Sequence, residues 1–321
     1  MSNPRATTTT ARQRDVLVHA LAADAKLDVE ETANRGHAAA LACRAMREGV
    51  DVVVALGGDG TVNEVVNGLL TDGIHPGVPA LGIVPGGSTN VFARALGLPN
   101  DPVDATSILL DAMAEQRTRP IGLGLADDRY FLFTAGLGYD AAVVDEVEGH
   151  RRRGKKSTPA LYVRSAVRTY FRTDRRHPQI RLELSDGHRI EDLYMVLVNN
   201  CDPWTYAGKI AISPTPMASF DTGLDVYGRT RMGAIGLLAS AGRMLNKSGQ
   251  EPKLALTQRV LRRKPANRNS LKVAGARIEH DLSRFALVSD EPLAFQLDGD
   301  SLDTRSRVEF RSVPQAIRIL I

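Results

Sequence analysis

The sequence predicts an α/β protein in which a doubly wound α/β domain is followed by a largely antiparallel β domain. Helix and strand patterns alternate over residues 12–120, and two apolar strands in this region each run into a glycine-rich turn and a helix. After Arg119, short strands separated by turn residues replace the alternation. Alternating strands and helices favour a parallel sheet covered on both faces, whereas closely spaced short strands favour antiparallel pairing.

The first elements of the α/β domain are read from apolar spacing. Arg14 to Ala23 is amphipathic, which predicts a helix. The stretch LDVEET, residues 27–32, predicts a short strand, and its Thr32 can cap a helix predicted over residues 36–49.

The central elements follow in the same alternation. Val52 to Leu56 is apolar without polar alternation, which predicts a strand buried on both faces. Apolar residues at helical spacing predict a helix over residues 61–70. We expect a strand at residues 80–85, a helix at 90–98 and a closing helix over 105–117.

The second half of the chain contains many short strand patterns. They lie within residues 129–140, 179–200, 209–214, 223–229, 270–275 and 293–300, with helical patterns at Pro159–Phe171 and Met232–Leu245. The last segment, Val308 to Ile321, has strand character. We therefore expect the α/β domain at residues 1–120, with about 304–321 returning to it, and the β domain at residues 121–303.

The turn Gly57-Gly58-Asp59-Gly60 lies between the predicted strand and helix, at the edge of the sheet where open α/β folds bind ligands. Glycines let the backbone approach a ligand closely, and the helix start offers unpaired N–H groups that suit phosphate. Asp59 could bind, directly or through water, a Mg²⁺ ion that accompanies the phosphate. A tight loop with a helix cap is the alternative interpretation. The turn is neither a Walker A loop nor a G-x-G-x-x-G dinucleotide motif.

A second glycine turn repeats the arrangement. The predicted strand at residues 80–85 ends in Pro85-Gly86-Gly87, and Ser88-Thr89-Asn90 opens the next helix. Two such turns in succession would lie on one edge of the sheet, which favours a phosphate site over two unrelated loops.

Composition excludes several classes of protein. The 321 residues carry a net charge of +4 and include two cysteines and seven histidines, without the spacing of a zinc site. Apolar runs stay short of the ~20 residues needed to cross a bilayer. Basic clusters at residues 150–156 and 259–268 can contact an anionic surface, or simply be solvated loops.

Together, GGDGTVNEVVNGL (residues 57–69) and PGGSTNVFARALGLP (85–99) resemble the bacterial lipid kinases with a diacylglycerol kinase catalytic domain, which are related to sphingosine and ceramide kinases. Further matches follow in family order, at residues 3–4, 32–38, 135–141, 221–226 and 297–300. The resemblance implies an N-terminal doubly wound α/β nucleotide domain, a C-terminal β-sandwich domain for the lipid, and an active site between them. It also implies transfer of the γ-phosphoryl group of ATP, with Mg²⁺, to a lipid hydroxyl.

The resemblance also implies nucleotide-binding residues. In this sequence they are Asn3, Thr32, Gly57, Gly58, Asp59, Gly60, Thr61, Asn63, Glu64, Gly87, Ser88 and Thr89. The family has a glycine- and lysine- or serine-containing loop after Asn-Pro, where this chain has Arg5 and a run of threonines. Arg5 or a hydroxyl such as that of Thr9 would take over the phosphate contact.

For catalysis, the resemblance implies an acidic network. Asp300, where the family has glutamate, would be the general base, and Asp298 would support it or contact Mg²⁺. Asp59 would lie near the metal and phosphates, and Asp140 would extend the network. A structural Mg²⁺ site of the family maps onto Ser219, Thr222 and Leu224, with Thr222 in place of an aspartate.

The sequence therefore predicts a lipid kinase that acts on diacylglycerol to give phosphatidic acid. A NAD kinase, which shares a Gly-Gly-Asp-Gly turn, and a non-catalytic nucleotide- or lipid-binding regulator are the alternatives. We expect a cytoplasmic protein that associates peripherally with the inner face of the membrane and contacts a lipid substrate and anionic headgroups, but no nucleic acid.

Overall fold

The computed structural model describes residues 1–4, 11–153, 159–172, 177–233, 245–246, 270–273 and 275–321. The chain divides into two compact units. The first unit comprises Met1–Leu123 together with Val313–Ile321, and the second comprises Gly124–Ser312.

The first unit is built around parallel strands. Its elements are α1 (Ala11–Asp24), α2 (His37–Arg47), β1 (Val52–Gly57), α3 (Asp59–Leu69), β2 (Ala80–Pro85), α4 (Val91–Ala95), α5 (Pro102–Ala114), the start of β3 (Thr118–Ala126) and the end of β18 (Arg305–Leu320). Strands β1 and β2 pair in parallel from Val52 opposite Ala80 to Gly57 opposite Pro85. The end of β18 pairs with the other side of β2, also in parallel.

Helices cover both faces of these strands. Leu17 and Leu21 of α1 pack with Leu109 of α5 against Leu56 and Val84 of the sheet. Every residue of β2 is buried, including those that point away from α5, and α3 packs against β1. A strand that is apolar throughout needs this two-sided cover. The expected doubly wound α/β domain is thus confirmed.

The prediction of a strand over LDVEET, residues 27–32, is wrong. Within that stretch, Glu31 makes a single isolated bridge, to Ser2, and the residues before it form no strand. Ser2 also bridges Leu56, so the Met1–Asn3 segment lies between Glu31 and β1. The Met1–Asn3 segment pairs with this stretch through Ser2 alone, so a single bridge forms here instead of a strand.

The second unit is a β-sandwich with two helices. Its strands are the end of β3, β4 (Arg129–Phe131), β5 (Thr134–Gly138), β6 (Ile180–Leu184), β7 (Arg189–Leu193), β8 (Met195–Asn199), β9 (Thr205–Ala207), β10 (Ile210–Ile212), β11 (Leu224–Arg229), β12 (Leu245–Asn246), β13 (Ser270–Val273), β14 (Ala276–Leu282), β15 (Arg284–Leu293), β16 (Phe295–Leu297), β17 (Asp300–Ser301) and the start of β18. Its helices are α6 (Tyr139–Arg152) and α7 (Pro159–Arg172).

Two antiparallel sheets of this unit share one core. One sheet contains β18, β15, β6 and β7, and the other has the order β13-β14-β11-β8-β5-β16-β17. Phe310 of the first sheet stacks on Phe285 at a centroid distance of 5.2 Å and meets Phe295 of the second edge to face at 6.5 Å. Such paired aromatic rings add to the burial energy of a sandwich core. The expected β-sandwich is confirmed.

The helices of the second unit were predicted in part. Helix α7 lies where the pattern from Pro159 to Phe171 predicts it. Helix α6 was not predicted, although Val143, Val144 and Val147 are buried at helical spacing. The helix predicted from Met232 falls almost entirely on residues 234–244, outside the described residues.

Candidate active site

The first glycine turn connects β1 to α3 almost without a loop. Strand β1 ends at Gly57, and α3 begins at Asp59 with Gly58 as its N-cap residue. A Cβ on Gly57 would lie 2.7 Å from the Thr61 Cβ, so no side chain fits there. Gly58, Asp59 and Gly60 are half-buried, which leaves the helix start accessible to a ligand.

The second turn lies directly against the first. The Gly86 N–H donates to the Gly57 carbonyl at 2.9 Å. A Cβ on Gly87 would lie 2.7 Å from the Gly58 Cα, so the two backbones are in van der Waals contact. The Asn90 side chain closes this turn, because its amide both accepts from the Gly87 N–H and donates to the Gly87 carbonyl at 2.8 Å. Ser88 is exposed at the tip.

Asp59 joins the two turns. Its carboxylate accepts the N–H of Val91 and the N–H of Phe92, both at 3.0 Å. These are backbone donors at the start of α4, so Asp59 caps a helix 32 residues away in sequence. The Asp59 carboxylate is therefore held by the protein backbone.

Glu64 likewise accepts backbone N–H groups, here from a third loop. Its two oxygens accept the Gly36 N–H at 2.8 Å and the Ala38 N–H at 3.2 Å, at the start of α2. Glu64 therefore fixes this loop through the backbone.

Other predicted nucleotide-binding residues lie around these turns. The Asn3 Nδ2 donates to the Thr61 Oγ1 at 3.1 Å, and the Thr32 N–H donates to the Ser2 carbonyl at 2.9 Å. Asn63 is buried in α3, and Thr89 is half-buried in the second turn. Arg5 and Thr9 lie outside the described residues.

In the second unit, the Asp298 side chain binds the backbone of residues 132–134. Its carboxylate accepts the N–H groups of Leu132 at 2.7 Å, Phe133 at 3.0 Å and Thr134 at 3.1 Å. Asp298 is only 7% exposed and has a left-handed backbone with φ 50°. Asp300 follows at the start of β17 and is half-buried.

Asp140 lies in the first turn of α6 and is buried. Its Oδ2 accepts a hydrogen bond from the Gln296 Nε2 at 3.2 Å. Burial raises the pKa of Asp140 to about 6, and the Gln296 hydrogen bond acts in the opposite direction. Gln296 was not among the predicted site residues, although it is a polar residue in the apolar strand FQL.

The residues expected at a structural Mg²⁺ site form a turn. The Thr222 hydroxyl donates to the Ser219 carbonyl at 3.1 Å, and Leu224 is buried in the sandwich core. Among the described residues, no group of three or more His, Cys, Asp or Glu side chains has the arrangement of a metal site. The Mg²⁺ site therefore stays a prediction.

The remaining sequence features fall in different places. Trp204 packs beside Met195, Leu197 and Tyr227 at the edge of a small apolar cluster. Residues 154–158 and 259–268, which hold most of the basic clusters, lie outside the described residues. In the part of the chain that the structure describes, no helix is long and apolar enough to cross a bilayer.

The first part of the chain is similar to known proteins. Residues 1–126 match the family model of the diacylglycerol kinase catalytic domain. A diacylglycerol kinase of Staphylococcus haemolyticus is 38% identical over 124 residues, which cover 39% of this chain and 36% of that protein. One from Staphylococcus aureus is 40% identical over 124 residues, or 39% and 37% of the two chains. The matched segment thus spans little more than a third of these curated relatives.

Solved structures match over the whole chain. The crystal structure of a putative diacylglycerol kinase from Bacillus anthracis has a TM-score of 0.72 at 20% identity, covering 99% of this chain and 95% of the other. Another diacylglycerol kinase structure from the same organism has a TM-score of 0.67, also at 20% identity, covering 99% and 94%. At this identity, the likeness shows a shared fold. Residues 1–126 of this chain are thus similar to the diacylglycerol kinase catalytic domain.

Proposed function

We propose that this protein is a lipid kinase that transfers the γ-phosphoryl group of ATP to a lipid hydroxyl, with diacylglycerol as acceptor and phosphatidic acid as product. The contact between the two glycine turns, at Gly58 and Gly87, carries the proposal. The match of residues 1–126 to a diacylglycerol kinase catalytic domain supports it independently.

The first unit would bind the triphosphate of Mg·ATP. The start of α3 lies where the two strand-to-helix turns are in contact. Glycines leave room there for a ligand, and backbone N–H groups at a helix start bind phosphate. Nucleotide contacts are assigned to Asn3, Arg5, Thr9, Thr32, Gly57, Gly58, Gly60, Thr61, Asn63, Gly87, Ser88 and Thr89. Mg²⁺, arriving with ATP as part of the substrate, supplies charge neutralisation for the phosphates.

Asp59, Glu64 and Asp298 take positioning roles in this proposal. Each of these carboxylates accepts at least two backbone N–H groups from another part of its own unit. They fix the loops that bind and orient the reactants, which is a large part of catalysis in phosphoryl transfer.

Asp300 is assigned as the general base. Its carboxylate takes the proton of the lipid hydroxyl as the hydroxyl oxygen forms a bond to the γ-phosphorus. The bond between that phosphorus and the bridging oxygen of ADP breaks, and ADP leaves with the electron pair. Asp298 is less suited to this role because three backbone N–H groups already occupy its carboxylate.

The lipid acceptor defines where the enzyme works. We assign it to the cytoplasm and to peripheral association with the inner face of the membrane, where diacylglycerol would be available. Exposed arginines on α7 support contact with anionic headgroups.

A panel of acceptors tests the proposal. The purified full-length chain is incubated with labelled Mg·ATP and, in parallel, with diacylglycerol, ceramide, sphingosine or NAD, and the products are separated by thin-layer chromatography. We expect labelled phosphatidic acid. Product on NAD alone would identify a NAD kinase, and ATP binding without product on any acceptor would identify a regulator.

Asp300→Asn tests the assignment of the base. We expect kcat to fall by about 10²–10⁴-fold with folding retained, because a positioned base contributes about this much. Asp303→Asn, at an exposed position three residues away, is the matched control and should keep the wild-type rate. A wild-type rate in Asp300→Asn would exclude Asp300 as the base.

A further inference from the structure

Gln296 is a buried amide in a strand of the sandwich core. It lies in β16 between Phe295 and Leu297, both of which are core residues, and it is 1% exposed. A primary amide at such a position is costly unless its polar atoms have partners. Its partners therefore indicate why the strand carries an amide there.

Two neighbours determine the orientation of this amide. The Gly299 N–H donates to the Gln296 Oε1 at 2.9 Å, and the Gln296 Nε2 donates to the Asp140 Oδ2 at 3.2 Å. A backbone N–H can only donate, so the atom that faces Gly299 must be the oxygen. The NH₂ group then faces the Asp140 carboxylate, and the reversed amide would lose both bonds.

Gln296 holds the turn that carries Asp300. Gly299 is one of the two turn residues between β16 and β17, and its N–H donates to the Gln296 side chain. On the preceding residue, the Asp298 carboxylate is bound to the backbone of residues 132–134. The turn is thus fixed by the side chains of Gln296 and Asp298, and the Gln296 side chain also contacts Asp140.

The space around this contact is closed. A Cβ on Gly136 of β5 would lie 2.8 Å from the Asp140 Oδ2 and 2.8 Å from the Gln296 Nε2. A glycine is therefore required at residue 136 for the amide and the carboxylate to meet as they do.

We propose that Gln296 is a positioning residue that joins Asp140 to the turn bearing Asp300 and keeps the Asp140 carboxylate in its hydrogen-bonded orientation. The effect on kinase kinetics rests on the proposed function. The effect on the carboxyl group of Asp140 does not, because it follows from the hydrogen bond alone.

The hydrogen bond has a definite electrostatic effect. Burial raises the pKa of Asp140 and the Gln296 donor lowers it, so removing the donor raises that pKa further. Tyr139, on the same helix, has a pKa raised to about 12 by burial and stays neutral at physiological pH. Asp145, bound to the Ser301 hydroxyl at 2.8 Å, and Asp300 are further acidic groups where α6 meets β17.

Two substitutions separate the two bonds of Gln296. Gln296→Glu keeps an acceptor for the Gly299 N–H but turns an acidic oxygen toward Asp140, whereas Gln296→Leu removes both bonds. For Gln296→Glu we expect kcat at pH 7 to fall about tenfold and the acidic limb of the pH–rate profile to move up by about one pH unit, with KM for Mg·ATP changed by less than about twofold. Gln296→Leu should lower kcat at least as much.

A second measurement does not depend on activity. Carboxyl-carbon NMR of the full-length protein with labelled aspartate, assigned with Asp140→Asn, gives the titration midpoint of Asp140. We expect Gln296→Glu to raise this midpoint by about one pH unit. Gln116→Glu, which adds the same charge at an exposed turn, should leave the midpoint and the kinetics unchanged.

The two proposals fail in different ways. An unmoved Asp140 midpoint together with wild-type kcat and pH profile in Gln296→Glu would overturn the role of Gln296. Failure of the wild-type protein to phosphorylate any lipid would overturn the kinase proposal, while the NMR midpoint would still decide the role of Gln296.

Discussion

The carboxylates of Asp59, Glu64 and Asp298 share one structural property. Each accepts backbone N–H groups of a loop that is distant in sequence, at 2.7–3.2 Å. A charge-assisted bond of this kind is stronger than a neutral one, and it orders the loop that donates it. Acidic residues of a phosphate-binding motif can thus act on the ligand through the backbone that they hold.

Asp59→Asn should destabilise the first unit. An asparagine can accept one of the two N–H groups from Val91 and Phe92, but its NH₂ group must then face the other. We expect the free energy of unfolding in urea to fall by about 1–3 kcal/mol, the cost of a buried donor without a partner. Asp51→Asn, at an exposed position before β1, should change it by less than about 0.5 kcal/mol. Equal stability of Asp59→Asn and wild type would show that the two hydrogen bonds contribute little.

Asp202 makes stability depend on pH. Burial raises the pKa of Asp202 to about 6, a hydrogen bond from Ser213 lowers it, and the charge of Asp225 raises it. The folded state therefore binds more protons than the unfolded state between about pH 4 and 6, so the free energy of unfolding falls as pH rises through this range.

Asp202→Asn should remove this loss of stability. We expect the variant to be more stable than wild type by about 1–3 kcal/mol at pH 8, with the gain shrinking toward pH 4. Urea denaturation at several pH values measures the difference. The exposed Asp128→Asn should follow the wild-type curve. A gain that did not vary with pH would rule out the titration of Asp202 as its cause.

At the scale of elements, local pattern predicted much of the first unit. The apolar run at Val52–Leu56 and the spacing after Thr61 gave β1 and α3 nearly in place, because both depend on which faces are buried. The same reasoning predicted β2 and its glycine turn. It missed α6, because this helix begins at Tyr139 directly after β5, without the polar loop that marks a boundary.

The site was less predictable than the elements. The motifs predicted candidate residues, but the bonds of Asp59 to α4 and of Asp298 to residues 132–134 join parts of the chain up to 166 residues apart. Hydrogen bonds between a side chain and a distant backbone leave no periodic trace in a sequence. For the same reason, Gln296 was recognisable only as a polar exception in an apolar strand.

Gly87→Ala should separate the two glycine turns. Its Cβ would lie 2.7 Å from the Gly58 Cα and 2.8 Å from the Asn90 Oδ1, and the first of these is backbone that cannot rotate away. We expect nucleotide affinity to fall at least about tenfold by calorimetry, because small displacements of a binding loop are costly. Gly149→Ala, in α6 with open space around it, should keep affinity and leave stability equal or higher. Unchanged affinity in Gly87→Ala would argue against a phosphate site here.

At the scale of the whole molecule, the charge is modestly positive, at +4 with a sequence pI near 9.1. On α7, Arg164, Arg168 and Arg172 are all exposed, and their spacing of four residues brings them to one side of the helix. Arg168 and Arg172 also approach Glu146 of α6, at 3.3 and 3.6 Å. Val167 of the same helix is 52% exposed. Exposed cations beside an apolar residue suit an anionic lipid surface.

Arg164→Gln should weaken binding of the protein to vesicles that contain anionic phospholipid. A cation near such a surface contributes about 1 kcal/mol, so we expect the partition coefficient to fall about fivefold in a sedimentation assay. Wild-type binding should also fall as salt increases, because salt screens the attraction. Arg305→Gln removes the same charge from an exposed position on β18. This control distinguishes an effect of the charge's position on α7 from an effect of the net charge of the protein. Equal losses in the two variants would assign the effect to net charge, and binding independent of anionic lipid and salt would exclude α7 as a membrane contact.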